Sequence, residues 1–419
     1  MVSEAQGSTP AIMPSRSYRW LLVALASISQ ARVLPRSVRM PDSPVTDTPC
    51  PCDDASLCKT PTVQHDQEFF GFGGAHWKSF DWTQVTTVAW AKDPDIICEA
   101  HKTGARVIAA APTLVFSNDP AKRGEWIAKL IATMQNGFYD GVTFDYEEPL
   151  DKTPGSPTYK KHDDYVALVR ETSLALHAAI PGSQVSVCVA WSPDDIDGRN
   201  YDFAALAAAS DLLYVMAYDI RSQIYGRCIA SANSALSAAQ RGLTRYMELG
   251  ISPDKLILGI PWYGYHYPCV NSGPTDYFCE IPLVPFRGVN CSDAAGSELS
   301  FMTIMNLFDR GICPGAGSDH CKVTTDLRWD AATQSPYFNY VVNGTQLFQV
   351  WFDNATSLAL KYSAARDMGV RGVGPFEWDD LDSDGSITGN PNAPAQARSM
   401  WQALKSFGHA SLVPSELLV

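Results

Sequence analysis

The chain has 419 residues, 46% of them hydrophobic and 18% charged, with a formal net charge of −13. That length holds one large barrel or two to three ordinary domains, and the composition is that of a soluble protein with a large core. The acidic balance argues against nucleic acid or an anionic membrane surface as partner.

Eleven cysteines, several of them clustered, point to folding in an oxidising compartment. The odd number leaves at least one thiol free or joined to another chain. Residues 1–31 read as a targeting segment. Arg16 and Arg19 precede the apolar run 20–26, and Ser29-Gln30-Ala31 offers a small-x-small cleavage site. The apolar run is too short to span a bilayer, so no membrane association is expected after cleavage. Met13 is an alternative start. Residues 32–67 form a linker and a Cys-rich segment. Cys50-Pro51-Cys52 with Cys58 lacks a fourth zinc ligand nearby, which favours a disulfide knot tying this segment to the domain.

From residue 68 strand-like runs alternate with helical patterns up to about residue 406. The strands are expected at 69–73, 85–90, 106–111, 141–147, 184–191, 212–219, 255–263 and 372–378, mostly as the continuous apolar runs that parallel strands require. Trp126, Ile127, Leu130, Ile131 and Met134 make one helical stripe; Tyr165, Leu168, Val169, Thr172 and Leu176 make another. Eight alternations predict an α/β fold, a (β/α)8 TIM barrel. A doubly wound sheet is the alternative, but no glycine-rich phosphate loop follows the first strand. Residues from about 265 to 353 break the rhythm and contain five cysteines, which predicts a disulfide-braced insertion between strands 7 and 8. Within it Cys269 is expected to pair with Cys279 and Cys313 with Cys321, because short loops close cheaply. Cys228 is placed to reach Cys291, while Cys98 and Cys188 sit in apolar contexts that suit free core thiols. Asn290, Asn343 and Asn354 head glycosylation sequons. Residues 380–387 look like the start of a calcium loop, but position twelve is Pro391 and a solvated acidic loop is expected. Residues 407–419 read as a tail.

The chemistry concentrates at 140–148, Asp-Gly-Val-Thr-Phe-Asp-Tyr-Glu-Glu. Strand alternation puts Thr143, Asp145 and Glu147 on one face and Val142, Phe144 and Tyr146 on the other. Two carboxyl groups two residues apart on one face raise one another's pKa, which can keep one protonated as a general acid. Barrel enzymes place their chemistry at the C-terminal strand ends. Those ends carry Trp191, the run Met216-Ala217-Tyr218-Asp219, Tyr263, and a last strand in which Phe376 and Trp378 are expected on one face. Aromatic rings there suit the C–H faces of sugars. No H-E-x-x-H occurs, and neither a metal nor a cofactor is expected.

The stretch 140–148 resembles the D-G-x-x-x-D-x-E signature of family 18 glycoside hydrolases, and 216–219 resembles that family's M-x-Y-D motif. The resemblance makes Glu147 the proton donor and Asp145 the residue that orients the substrate's 2-acetamido group, which is itself the nucleophile. It gives Tyr218 a hydrogen bond to the acetamido oxygen, Met216 a place beneath the sugar and Asp219 the substrate hydroxyls. It puts an aromatic floor at Phe376 or Trp378, where the family carries Trp. Thr143 stands where most members have a further Asp, and Ala110-Ala111-Pro112 replaces the usual S-x-G-G. With 77–82, 189–193, 259–265, 284–288, 291–296 and 350–354, these departures narrow the resemblance to the branch that cleaves short GlcNAc-β-1,4-GlcNAc units. It implies a retaining hydrolase of an oligosaccharide partner, a monomer, lysosomal or extracellular. A chitin-binding lectin on the same barrel, an endochitinase and an extracellular structural protein are the alternatives.

Overall fold

The computed structural model describes residues 48–63, 65–220, 227–315 and 320–408. The expected targeting segment, the linker up to residue 47 and the tail beyond residue 408 lie outside the described residues. Seven parallel strands come first: β1 (Glu68–Phe72), β2 (Thr87–Ala89), β3 (Arg106–Ala110), β4 (Gly141–Phe144), β5 (Gln184–Ala190), β6 (Leu212–Met216) and β7 (Leu256–Pro261). Six short antiparallel strands follow: β8 (Tyr263–Pro268), β9 (Ser297–Ser300), β10 (Cys321–Val323), β11 (Arg328–Asp330), β12 (Ser335–Val342) and β13 (Gln346–Trp351). They form a separate sheet, in the insertion that the cysteine-rich segment predicts. Finally β14 (Gly372–Phe376) pairs with both β7 and β1 and closes an eight-stranded barrel. The closed ladder excludes the doubly wound alternative.

The helices are α1 (Ile96–Thr103), α2 (Pro120–Asn136), α3 (Lys161–Ala179), α4 (Phe203–Ala209), α5 (Leu236–Glu248), α6 (Phe301–Arg310), α7 (Ala355–Asp367) and α8 (Ala393–Gly408). Between β1 and β2 stands only a short 3-10 turn, Trp77–Ser79, where the alternation predicts a helix. Both stripes read from the sequence are buried faces. Ile127, Leu130, Ile131 and Met134 point inward from α2, and Tyr165, Leu168, Val169, Thr172 and Leu176 from α3. Asp119 begins α2 by accepting from the Ala121 N–H, with Pro120 at the first helical position. No helix among the described residues is long and apolar enough to cross a membrane.

Both faces of each barrel strand are buried, which is why the strands read as unbroken apolar runs. Phe70, Phe72, Ile108, Tyr214, Met216 and Ile257 fill the inside, while Val107, Val142, Phe144, Val187, Val215 and Leu258 meet the helices. Close strand approach dictates two glycines. A Cβ at Gly141 would lie 2.0 Å from the Gln184 carbonyl oxygen, and one at Gly374 would lie 1.7 Å from that of Phe70.

Five disulfides are present, Cys50–Cys58, Cys52–Cys98, Cys228–Cys291, Cys269–Cys279 and Cys313–Cys321. Cys188 is buried and free, as expected. The expectation of a free Cys98 is wrong. The buried face of α1 is Ile96, Ile97, Ala100 and His101, so Cys98 lies off it and meets Cys52 of the N-terminal knot. The acidic loop at 380–387 is less solvated than expected. Asp382 is buried and accepts from the Ile387 and Thr388 N–H groups, capping its own loop.

Asp140, first residue of the acidic stretch, is a structural anchor at the base of β4. Its Oδ2 accepts from the Val107 N–H at 2.8 Å and lies 2.7 Å from His101 Nε2, while His101 Nδ1 lies 2.5 Å from the Leu57 carbonyl. Burial disfavours a charged imidazole here, but the Asp140 carboxylate and the Leu57 carbonyl outweigh it and raise its pKa. Removing one partner of a buried pair leaves the other uncompensated. Asp140→Ala is therefore expected to cost about 3 kcal/mol in urea unfolding; a loss below about 1 kcal/mol would show the anchor to be dispensable.

Candidate active site

The fourth strand leaves its ladder earlier than the sequence predicts. β4 stops at Phe144, its last partner on β5 being Val187, and residues 145–148 run free of the sheet. Side-chain alternation nevertheless persists. Phe144 lies against Trp126 and Tyr165, and Tyr146 against Phe116, Tyr165 and Tyr201, all on the helix side. Thr143 points into the barrel and accepts from Ser186 Oγ at 2.8 Å, with Cys188 Sγ 3.8 Å away.

Asp145 sits above this neutral floor. Its Oδ1 is buried and has no hydrogen-bond partner. Burial, and then the charge of Glu147, push its pKa up to about 7, with Arg199 pulling the other way. Glu147 reaches the mouth, where its Oε2 lies 2.6 Å from Arg199 Nη2. That guanidinium also lies 3.3 Å from Asp197 Oδ2.

Glu147, Trp191, Arg199, Met216, Tyr218 and Asp219 line one hollow of about 290 Å³ at the C-terminal ends of the strands. Tyr263 donates from its hydroxyl to Asp219 Oδ1 at 2.5 Å, and Asn233 Oδ1 accepts from the Asp219 N–H at 2.7 Å. Burial pushes Asp219 up to about 7 despite the Tyr263 hydrogen bond. Phe376 lies against Tyr218, Tyr263 and Phe72 inside the mouth. Trp378 does not share that face. The strand ends at Phe376, a helical turn Trp378–Asp380 follows, and the Trp378 ring is buried between Trp262 and Trp401 in the outer core. Eight of the nine candidate residues thus converge at the mouth, and Trp378 is the exception.

Larger hollows lie elsewhere. One of about 1170 Å³ borders Tyr277 and Arg328 on the insertion, and one of about 1070 Å³ opens at the opposite barrel end by Glu68 and Arg106. Neither gathers the perturbed carboxyl groups that mark catalytic clefts. Among the described residues the one grouping of metal-ligand type is Cys50, Cys52 and Cys58, whose sulfurs are all in disulfides.

Residues 113–380 match the family described as Glycosyl hydrolases family 18. The chain belongs to that family. It is similar to di-N-acetylchitobiase of Rattus norvegicus, 41% identical over 85% of this chain and 92% of the relative. The Homo sapiens di-N-acetylchitobiase is 39% identical over 85% of this chain and 89% of its own length. Among solved structures, the class V chitinase of Nicotiana tobaccum superposes with a TM-score of 0.59 at 15% identity, covering 82% of this chain and all of its own (100%). The Ostrinia furnacalis group II chitinase catalytic domain 2 gives 0.61 at 15% identity, over 83% of this chain and 98% of that one. At that identity the structures establish the shared fold. The chain is therefore a glycosidase.

Sequence reasoning missed several residues of the hydrolase's mouth. Arg199 and Asp197 come from the loop after β5, and Asp293 and Arg287 from the insertion. None lies in a periodic element; Arg287 and Asp293 fall in the runs 284–288 and 291–296 that carry the resemblance, but nothing in those runs assigns them to the mouth. Burial raises the Asp293 pKa to about 7, and the charges of Asp219 and Asp197 add to it.

Asp145, Asp219 and Asp293 thus hold protons in the folded hydrolase up to about pH 7, whereas in the unfolded chain they release them near 3.8. Between those values the folded state binds more protons, so stability falls as pH rises. Thermal melts are expected to give a Tm a few degrees higher at pH 5 than at pH 8. Asp293→Asn should lift the pH 8 value and leave pH 5 nearly unchanged. A Tm that climbs from pH 5 to pH 8 would contradict this reading of the buried carboxyl groups.

Proposed function

We propose that the protein hydrolyses the β-1,4 bond between N-acetylglucosamine units, with Glu147 as proton donor and the substrate's own acetamido group as nucleophile. The observation that carries this is Asp145 Oδ1, buried directly below the mouth without a partner. Once Asp145 passes on the proton it holds, that oxygen accepts from the acetamido N–H of a bound sugar. Tyr218, in the same hollow, offers its hydroxyl to the acetamido oxygen. With the amide held at both ends, its oxygen closes on the anomeric carbon as the glycosidic C–O bond breaks. The proton that Asp145 holds is delivered through Glu147 to the leaving oxygen, which leaves Asp145 ionised. Asp145 then faces the positive charge of the closed ring where it develops. Water opens the ring from the same face as the departed group, returning a proton to Glu147, and configuration is retained.

A double displacement needs two carboxyl groups about 5 Å apart flanking the bond. Asp145 stands two residues before Glu147 on the same face of the run that leaves β4, and Asp219 is held by Tyr263. The remaining carboxylate of the hollow, Asp197, leans on Arg199. Met216 and Phe376 give the sugar an apolar floor, and Trp191 a flat wall.

Similarity to the di-N-acetylchitobiases supports the chitobiose unit as substrate; we propose that the protein meets it in glycoprotein core oligosaccharides or chitin fragments and cleaves from the reducing end. The five disulfides support a secretory route to the lysosome or outside the cell. Product analysis on chito-oligosaccharides with free and blocked reducing ends tests the direction of attack.

Glu147→Gln is expected to keep the fold and lose about 10²-fold or more in kcat, the scale of general acid catalysis. A substrate bearing a 2-hydroxyl in place of the acetamido group should be inert, and a thiazoline mimic of the closed ring should inhibit. Efficient cleavage of cellobiose-type substrates, or a glycosyl ester trapped on Asp145, would refute the mechanism.

A further inference from the structure

Past Phe144 the carbonyls of Tyr146, Glu147 and Glu148 no longer have ladder partners, and the structure supplies others. Tyr201 Oη lies 2.8 Å from the Tyr146 oxygen and 2.7 Å from that of Glu148, its single proton serving one at a time. The middle carbonyl, that of Glu147, accepts from Arg287 Nη1 at 3.0 Å. The same guanidinium reaches the Asp197 carbonyl at 3.5 Å and lies 3.9 Å from the Glu148 carboxylate.

Arg287 is 140 residues away in the chain, on the insertion. It occupies a tight turn in which the Phe286 and Val289 backbones bond reciprocally at 3.0 Å. Arg287 and Gly288 are the central pair, with φ of 39° and 93°. Such turns favour Asn or Gly at both positions, because a Cβ is costly in the left-handed region. Here an arginine takes the first position, its guanidinium over the Phe286 ring at 5.2 Å and aimed at the acid loop.

We infer that Arg287 is a positioning residue for the proton donor, and that the insertion is thereby part of the hydrolytic machinery. Arg199 grips the Glu147 carboxylate from one side; Arg287 fixes the backbone that carries it from the other. A general acid must sit within about 2.6–3.2 Å of the oxygen it protonates. A displacement of about 1 Å can cost roughly 10²-fold in rate. The inference rests on Glu147 being the donor.

The test compares wild type, Arg287→Ala, Arg287→Lys, Glu147→Gln and the Arg287→Ala/Glu147→Gln double variant on N-acetylglucosamine trimers, with Tm recorded for each. Arg287→Ala is expected to lower kcat roughly 10- to 100-fold with KM changed less than about 3-fold. Arg287→Lys, a compact ammonium in place of the planar fork that spans three acceptors, should lose about 3- to 10-fold in kcat. In the Glu147→Gln background the Ala substitution should add less than about 2-fold, because the two residues act as a unit. Unchanged kcat in Arg287→Ala, a loss confined to KM, or penalties that multiply in the double variant would overturn the inference. If Arg287→Ala does not fold, Arg287→Lys decides, and wild-type kcat in it would overturn the inference equally. A wild type inert towards the trimers would instead remove the functional reading, and this inference with it.

Discussion

A buried carboxyl group at the mouth of a barrel must be neutralised, paired or given donors, and much of the surrounding structure answers that demand. Asp145, Asp219 and Asp293 are all pushed upward by burial. Two of them are answered differently. Asp219 takes the Tyr263 hydroxyl, and the charge of Asp145 is partly offset by Arg199. Below Asp145 lies a floor without charge, formed by Thr143, Ser186 and Cys188. A third carboxylate at 143 would add like-charge repulsion in a low-dielectric interior; threonine avoids it and is satisfied by the Ser186 hydroxyl. Asp145 is left with one unsatisfied oxygen, which is tolerable where a ligand completes the set.

The insertion contributes to this mouth as much as the barrel loops do. It supplies Tyr263 and Tyr265 on β8, Glu298 on β9, Asp293 and Arg287. Tyr265 donates to Glu298 at 3.1 Å, linking the neighbouring strands β8 and β9 beside Asp219. Cys228–Cys291 joins the insertion to the loop after β6 across a separation of 63 residues. A cross-link of that span removes roughly 4 kcal/mol of unfolded-chain freedom in the loop-entropy model. The link thus ties the part of the insertion that lines the mouth to a loop of the barrel.

The opposite end of the barrel carries stability. Asp140, His101 and Leu57 tie the N-terminal knot to α1 and to the base of β3 and β4, and Cys52–Cys98 fastens the same pieces covalently. The run through β4 thus has an anchored foot at Asp140 and reaches the mouth at Glu147. Barrels commonly divide their ends this way, because side chains at the C-terminal rim are released from ladder packing and can converge.

The barrel was legible because its period is dictated locally. Strands buried on both faces must be apolar throughout, and helices on a barrel must show one stripe, so 106–111 or the Tyr165–Leu176 stripe declares itself without neighbours. Alternation likewise assigned Thr143, Asp145 and Glu147 to one face, since two-residue periodicity outlasts the last hydrogen bond of the strand. Arg199, Tyr201, Asp293 and Arg287 carry no such period. Arg199, Tyr201 and Arg287 meet the acid loop, and Asp293 comes near Asp219 and Asp197, only when loops after β5 and β7 are brought over the mouth by closure of the sheet. Trp378 and Cys98 show the same limit. Their residue types suited the expected roles, but which way each side chain points was set by the turn after Phe376 and by the N-terminal segment laid against α1. Local periodicity fixes which face a residue occupies within its own element; what stands opposite that face depends on chain closure over many tens of residues.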